Sequence, residues 1–84
     1  MATVTFTPEA TADIKALPTT MKVRVNAVIK RLEQWPAVSG AKPLKYEWKG
    51  YRRIRTGDWR VIFQEVAPGI LVVRVKHRSE VYED

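Results

Sequence analysis

The sequence predicts an α+β domain: an N-terminal strand, then an antiparallel helical hairpin packed on a three- to four-stranded antiparallel sheet. Three observations carry that reading. Helical spacing of apolar residues is confined to residues 8–35. Alternation of period two takes over from Tyr51 and continues to Lys76. Two glycine-containing turns, Gly57-Asp58 and Pro68-Gly69, punctuate that second half. Helices first and strands later is the α+β order, not the alternation of a parallel sheet. At 84 residues the chain is expected to form one domain over 1–84, around one core.

The elements follow in order. Val4 and Phe6 alternate with Thr3, Thr5 and Thr7, which reads as a short strand. Thr7-Pro8-Glu9 is a helix start: a hydroxyl cap, proline in the first helical position, and an acid at the positive end of the dipole. Ala10, Ile14 and Leu17 share one face of that helix, and Pro18 stops it near Leu17. Thr19 and Thr20 are expected to cap a second helix. Its stripe is Met21, Val25, Val28, Ile29 and Leu32, and Trp35-Pro36 closes it. Residues 37–43 read as a loop. Three strands follow at Tyr51–Thr56, Trp59–Val66 and Ile70–Lys76.

The first of the two turns fixes a register. Glycine in the first central position suits a two-residue type II′ hairpin. Arg55 then faces Arg60, Ile54 faces Val61, Arg53 faces Ile62, and Arg52 faces Phe63. Facing residues project from the same side of a sheet. Arg53, Arg55 and Arg60 therefore share one side with Tyr51 and Gln64, expected to be solvated. Ile54, Val61, Trp59 and Phe63 form the core side. For the last strand, a two- or four-residue connection would swap the faces; a three-residue connection, favoured because it buries apolar residues rather than Arg74 and Lys76, sends Leu71, Val73 and Val75 to the core. It brings Arg74 and Lys76 to the basic side, with Lys76 beside Arg60. Like charges placed opposite one another are destabilising, so such a cluster points to an anionic ligand. Guanidinium forks suit phosphates and stack on bases.

Composition narrows the function. Fifteen Lys and Arg against nine Asp and Glu leave a net charge of +6, which favours a nucleic acid, then an acidic protein, as partner. The absence of Cys excludes disulfide scaffolds, zinc ribbons and thiol nucleophiles, and a lone His cannot build a His-rich metal site. No metal or cofactor is expected. No apolar run is long enough to span a bilayer, and the first residues lack a signal-peptide pattern, so a reducing, cytoplasmic setting without membrane contact is expected. The carboxylates Asp58, Glu65 and Glu80 form no close pair by this reading, though Glu80 could reach an arginine of the patch. No phosphate loop or nucleophile elbow is present.

Two strings carry a family resemblance. Tyr51-Arg52-Arg53-Ile54-Arg55-Thr56-Gly57-Asp58-Trp59-Arg60, and the terminal His77-Arg78-Ser79-Glu80-Val81-Tyr82, resemble the RelE/ParE superfamily of bacterial toxins. They stand behind the helix pair and Lys42-x-x-Lys45, so the likeness spans nearly the whole chain. It implies a RelE-like fold and a toxin of a type II toxin–antitoxin system. It also implies a cognate RelB-like antitoxin with an acidic binding segment, and contact with operator DNA only through that antitoxin. The RelE-type branch cleaves mRNA in the ribosomal A site, and the resemblance implies that chemistry here: a 2′-hydroxyl attacks the adjacent phosphate, leaving a 2′,3′-cyclic phosphate and a 5′-hydroxyl. The family's catalytic positions match Arg53, Arg55, Arg60 and Lys76, with His77 adjacent, and Tyr82. Lys42, Lys45, Arg52, Arg74 and Arg78 would extend the surface for RNA and ribosome. Ribosome-dependent members carry Lys where this chain has Arg53 and Arg55. Arginine stays protonated, so base duty would pass to Tyr82, to His77 or to no single residue. The alternative implied by the family is a ParE-like toxin that inhibits DNA gyrase without catalysis. A third reading, plain RNA binding, lacks an exposed paired-aromatic platform.

Overall fold

The computed structural model describes residues 2–81. Strand β1 (Val4–Phe6) leads into helices α1 (Pro8–Lys15) and α2 (Thr19–Leu32), then strands β2 (Lys42–Pro43), β3 (Arg52–Thr56), β4 (Trp59–Val66) and β5 (Gly69–His77). Single 3-10 turns occupy Tyr46–Trp48 and Arg78–Glu80. The five strands form one sheet in the order β1-β5-β4-β3-β2. Only the β1–β5 pair is parallel. The sheet is wider than expected because β2 was hidden in the 37–43 loop. Two residues, one of them proline, carry no readable alternation.

Thr7 starts α1 as its position suggests: its hydroxyl accepts the Ala10 N–H at 3.1 Å. The same hydroxyl donates to the Val73 carbonyl at 2.9 Å, tying the helix start to β5. The start of α2 differs from expectation. Thr19 and Thr20 lie inside the helix, and Pro18 takes the cap position without a side-chain bond. Its carbonyl instead accepts the Met21 and Lys22 N–H groups at 2.9 and 3.0 Å. Both helices cover one side of the sheet. Ala10, Leu17, Val25, Val28 and Leu32 pack there against Ile54, Val61, Phe63, Ile70, Val72 and Val75. Trp35 meets Phe63 edge to face at 5.4 Å.

The β3–β4 register is the expected one, from Arg52 opposite Phe63 to Thr56 opposite Trp59. Gly57 supplies the required positive φ of 61°, and Asp58 stays outside that region, as a type II′ turn demands. The β4–β5 register is mixed. Near the turn only Ala67 and Pro68 intervene between the paired Val66 and Gly69, so Ile70 and Val72 face the helices rather than Leu71. A bulge at Val73, between the Phe63–Val72 and Ile62–Arg74 pairs, shifts the register by one. Beyond it Val75 faces the core and Lys76 stands opposite Arg60, as expected. Val73 packs on the far side of the sheet instead.

That far side is not simply solvated. Leu44, Ile62 and Val81 bury one another there, flanked by Trp48, Tyr51 and Val73. The β2–β3 connection and the chain's tail thus cover the middle of the face expected to be open. Among the described residues no helix is long and apolar enough to cross a membrane.

Candidate nucleic-acid interface

Beside that small second cluster the sheet face opens into a shallow hollow of about 550 Å³. Lys42 from β2, Arg53 and Arg55 from β3, Arg60 from β4, and Arg78, Ser79 and Val81 from the tail line it. The hairpin register explains the convergence. Arg55 and Arg60 are a cross-strand pair, and Arg53 is opposite Lys42 on its other flank. Two of the three hairpin arginines on this face are not exposed, contrary to expectation: Arg53 and Arg60 keep only 7% and 6% of their surface. The cover over the far face explains this burial. Arg53 Nη1 donates to the Gly40 carbonyl at 3.3 Å, and Arg60 Nη1 donates to the Gly57 and Trp59 carbonyls at 3.4 and 3.2 Å. These contacts orient the two guanidinium groups and anchor the loop that carries Lys42. Arg55 is exposed. The described lining contains five cations and no carboxylate or imidazole. Such a lining could hold an anion of several oxygens, and phosphate would fit the forked geometry of arginine.

A family model described as the ParE toxin of type II toxin–antitoxin systems, parDE, matches residues 4–82. The chain belongs to this toxin family. It falls within the RelE/ParE superfamily that the two sequence strings indicate. The toxin's fold is similar to that in the RelBE2 toxin–antitoxin complex of Mycobacterium tuberculosis, with 29% identity, 92% of this chain and 98% of that chain covered, and a TM-score of 0.75. It is also similar to the RelB–RelE complex of Methanococcus jannaschii (22% identity, 90% and 92% covered, TM-score 0.73). The YoeB–YefM complex of Staphylococcus aureus gives 23% identity, 92% and 97% covered, and a TM-score of 0.73. At the last two identities the likeness shows the fold alone. No curated protein matches the chain in sequence.

Several of the expected site residues lie away from this hollow. Arg52 pairs with Phe63, which puts it on the helix side, and its guanidinium lies 5.4 Å from the Trp35 ring centroid. Arg74 is drawn to α1. Its Nε and Nη2 donate to the two Asp13 carboxylate oxygens at 2.8 and 3.0 Å, in a bidentate pair. Lys76 shares the hollow's side through its pairing with Arg60, but its Nζ donates to Glu80 Oε2 at 3.3 Å. Glu80 therefore meets a lysine, not an arginine of the patch. Lys45 is exposed at the start of the 3-10 turn and does not line the hollow. His77 is opposite Trp59, which packs on the helix side, and the two rings meet edge to face at 5.4 Å. Tyr82 lies outside the described residues.

Two residues carry more than the sequence reading assigned. Ser79 lines the hollow, although nothing in its motif marks it for that position. Asp13 is the other, and it does leave a signal. It sits three residues after Ala10 and one before Ile14, an acid on an otherwise apolar stripe. Burial raises the cost of its charge, but the bonds from Arg74 and from the Val75 N–H (3.0 Å) outweigh this and hold the carboxyl below its usual pKa. The bond to Asp13 in turn pushes the Arg74 pKa up. Among the described residues, no group of three or more His, Cys, Asp or Glu could hold a metal ion.

Proposed function

We propose that this toxin is a ribosome-dependent endoribonuclease that cleaves mRNA in the A site and so stops translation. One observation carries the reading: Arg53, Arg55, Arg60, Lys42 and Arg78, from four separate segments, line one open hollow. A phosphodiester attacked by its neighbouring 2′-hydroxyl passes through a transition state with extra charge on the non-bridging oxygens. Fixed guanidinium groups stabilise that charge more than the ground state, which is what accelerates the step. The 2′-oxygen forms a bond to phosphorus, the 5′-oxygen leaves, and a 2′,3′-cyclic phosphate results. One proton leaves the 2′-hydroxyl and one reaches the 5′-oxygen.

The described lining supplies charge but no ordinary base. The arginines stay protonated and His77 faces the other side of the sheet. Proton transfer is therefore assigned to Tyr82, on the resemblance, with positioning of the RNA left to the ribosome. The partner that silences the toxin is proposed to be a cognate antitoxin, since similar folds occur in toxin–antitoxin complexes. Its contacting segment would be acidic, to match the hollow, with operator DNA reached only through it.

Primer extension on mRNA from cells expressing the toxin tests the assignment. Cuts inside translated codons are expected. The matching family is described as the ParE toxin, and the ParE-like branch of the resemblance implies one second reading, inhibition of DNA gyrase. In that case a DNA-damage response would appear without any cuts.

A further inference from the structure

His77 is the chain's only histidine, and no step above uses it. Its backbone has φ −70° and ψ 149°, the extended conformation of a helix cap. It precedes the 3-10 turn Arg78–Glu80. Its Nδ1 accepts the Ser79 N–H at 3.2 Å, and Ser79 Oγ lies 2.9 Å from the same nitrogen. An imidazole nitrogen that accepts is unprotonated, so these contacts select the tautomer with its proton on Nε2. The other side of the ring rests edge to face on Trp59. One residue along, the Arg78 N–H donates to the Asp58 carbonyl at 2.7 Å. The ring is thus fixed to the hairpin and in turn caps the segment that follows.

That segment is one wall of the hollow: Arg78, Ser79 and Val81. Arg78 and Ser79 are exposed; Arg78 is also held to Asp58, by its N–H and by an ion pair at 3.7 Å, whereas the bonds to His77 Nδ1 are those given for Ser79. We propose that His77 is a positioning residue. Its Nδ1 caps the tail turn, and so places Arg78 and Ser79 against the substrate phosphate, without moving a proton. The effect on cleavage rests on the ribonuclease reading above, whereas the effect on the tail does not.

Three variants of the full chain separate the possibilities. His77→Asn loses the ring but keeps a cap acceptor reaching the N–H two residues on. His77→Phe keeps a ring against Trp59 and loses the acceptor. His77→Ala loses both. Two readouts are taken on each: backbone order parameters of 78–81 by NMR, and single-turnover cleavage on a programmed ribosome. The parent and His77→Asn are expected to show a rigid tail, with order parameters near ~0.85, and His77→Phe and His77→Ala to fall toward ~0.6 or below. Cleavage is expected to follow the tail, near the parent rate in His77→Asn and about 10- to 100-fold slower in the other two. Equal tail order in all four proteins would overturn the proposal. So would a His77→Asn protein with an ordered tail that cleaves as slowly as His77→Ala, since the ring would then be moving a proton, with Ser79 Oγ as the relay. If the order parameters behave as expected but the parent itself cleaves nothing, the ribonuclease reading fails and the capping role stands.

Discussion

Arg55 and Arg60 stand directly opposite one another on the β3–β4 hairpin, one exposed and one 6% exposed, on the wall of the same hollow. Two like charges at a cross-strand position cost stability, and burial of one raises that cost. The bonds from Arg60 to the Gly57 and Trp59 carbonyls offset part of it. The pair therefore divides its roles: Arg60 is built into the hairpin and Arg55 is available to a ligand.

This division sets the first prediction. Arg55→Ala leaves the fold intact and slows cleavage by about 10²–10³, the usual loss for one charge-stabilising donor. Arg60→Ala loses activity too, but also destabilises the fold by about 1–3 kcal/mol, because the Gly57 and Trp59 carbonyls lose this donor. Thermal unfolding beside a cleavage assay distinguishes them: Arg55→Ala melts as the parent does, and Arg60→Ala melts lower.

Arg52 gives the matching negative case. It lies across the sheet from the hollow, over Trp35. Arg52→Ala is expected to leave cell killing unchanged at equal expression. A non-toxic Arg52→Ala protein with normal expression would mean that the ligand surface wraps round to the helix side.

The Asp13–Arg74 pair makes stability depend on acid. The Asp13 carboxyl sits below its ordinary pKa of 3.8 in the folded chain, so its contribution is complete above that value. It is lost as the pH falls further, through the folded-state pKa. Asp13→Asn removes about 1–2 kcal/mol at neutral pH, or roughly 4–8 °C in melting temperature per kcal/mol. Melting curves of parent and variant should lie apart at pH 6 and draw together only as the pH falls below 3.8 and on through the folded-state pKa. A constant separation would show that the carboxylate charge is not what matters.

Gly69 tests how β1 is attached. A Cβ at this position would overlap the Thr3 carbonyl, and the Ile70 N–H donates to that carbonyl at 2.8 Å. Gly69→Ala is expected to cost about 1–3 kcal/mol, as overpacking does. Hydrogen exchange should localise the loss to β1 and the start of β5.

Local signals made much of this legible. The Gly57-Asp58 turn sets every pair of the β3–β4 hairpin, and Thr7-Pro8 sets the start of α1, because each acts over a few residues. What escaped depends on distant contacts. The bulge at Val73 is held by Thr7, 66 residues away in sequence, so only half of the β5 register follows from its turn. Arg53 and Arg60 alternate like exposed residues, and they are buried because Leu44 and Val81 fold over the same face from elsewhere. Arg74 reads as part of a basic stripe until α1 brings Asp13 to it. The cluster of Arg53, Arg55 and Arg60 was legible as a unit; the wall added by Arg78 and Ser79 needed the path of the tail.

The antitoxin's encounter should be electrostatically steered, given a net charge of +6 and five cations in one hollow. Association rates with the cognate antitoxin are expected to fall by tenfold or more between low and high salt, with dissociation changing less. A salt-independent association rate would place the contact on an apolar surface instead.

Ribosome-dependent cleavage by this toxin is decided by single-turnover reaction of mRNA on a programmed ribosome at saturating toxin. The parent protein is expected to cut within the A-site codon and leave a 2′,3′-cyclic phosphate on the upstream fragment, and Arg55→Ala to react about 10²–10³ more slowly. An intact mRNA with the parent protein, or an Arg55→Ala protein that cuts at the parent rate, would contradict this.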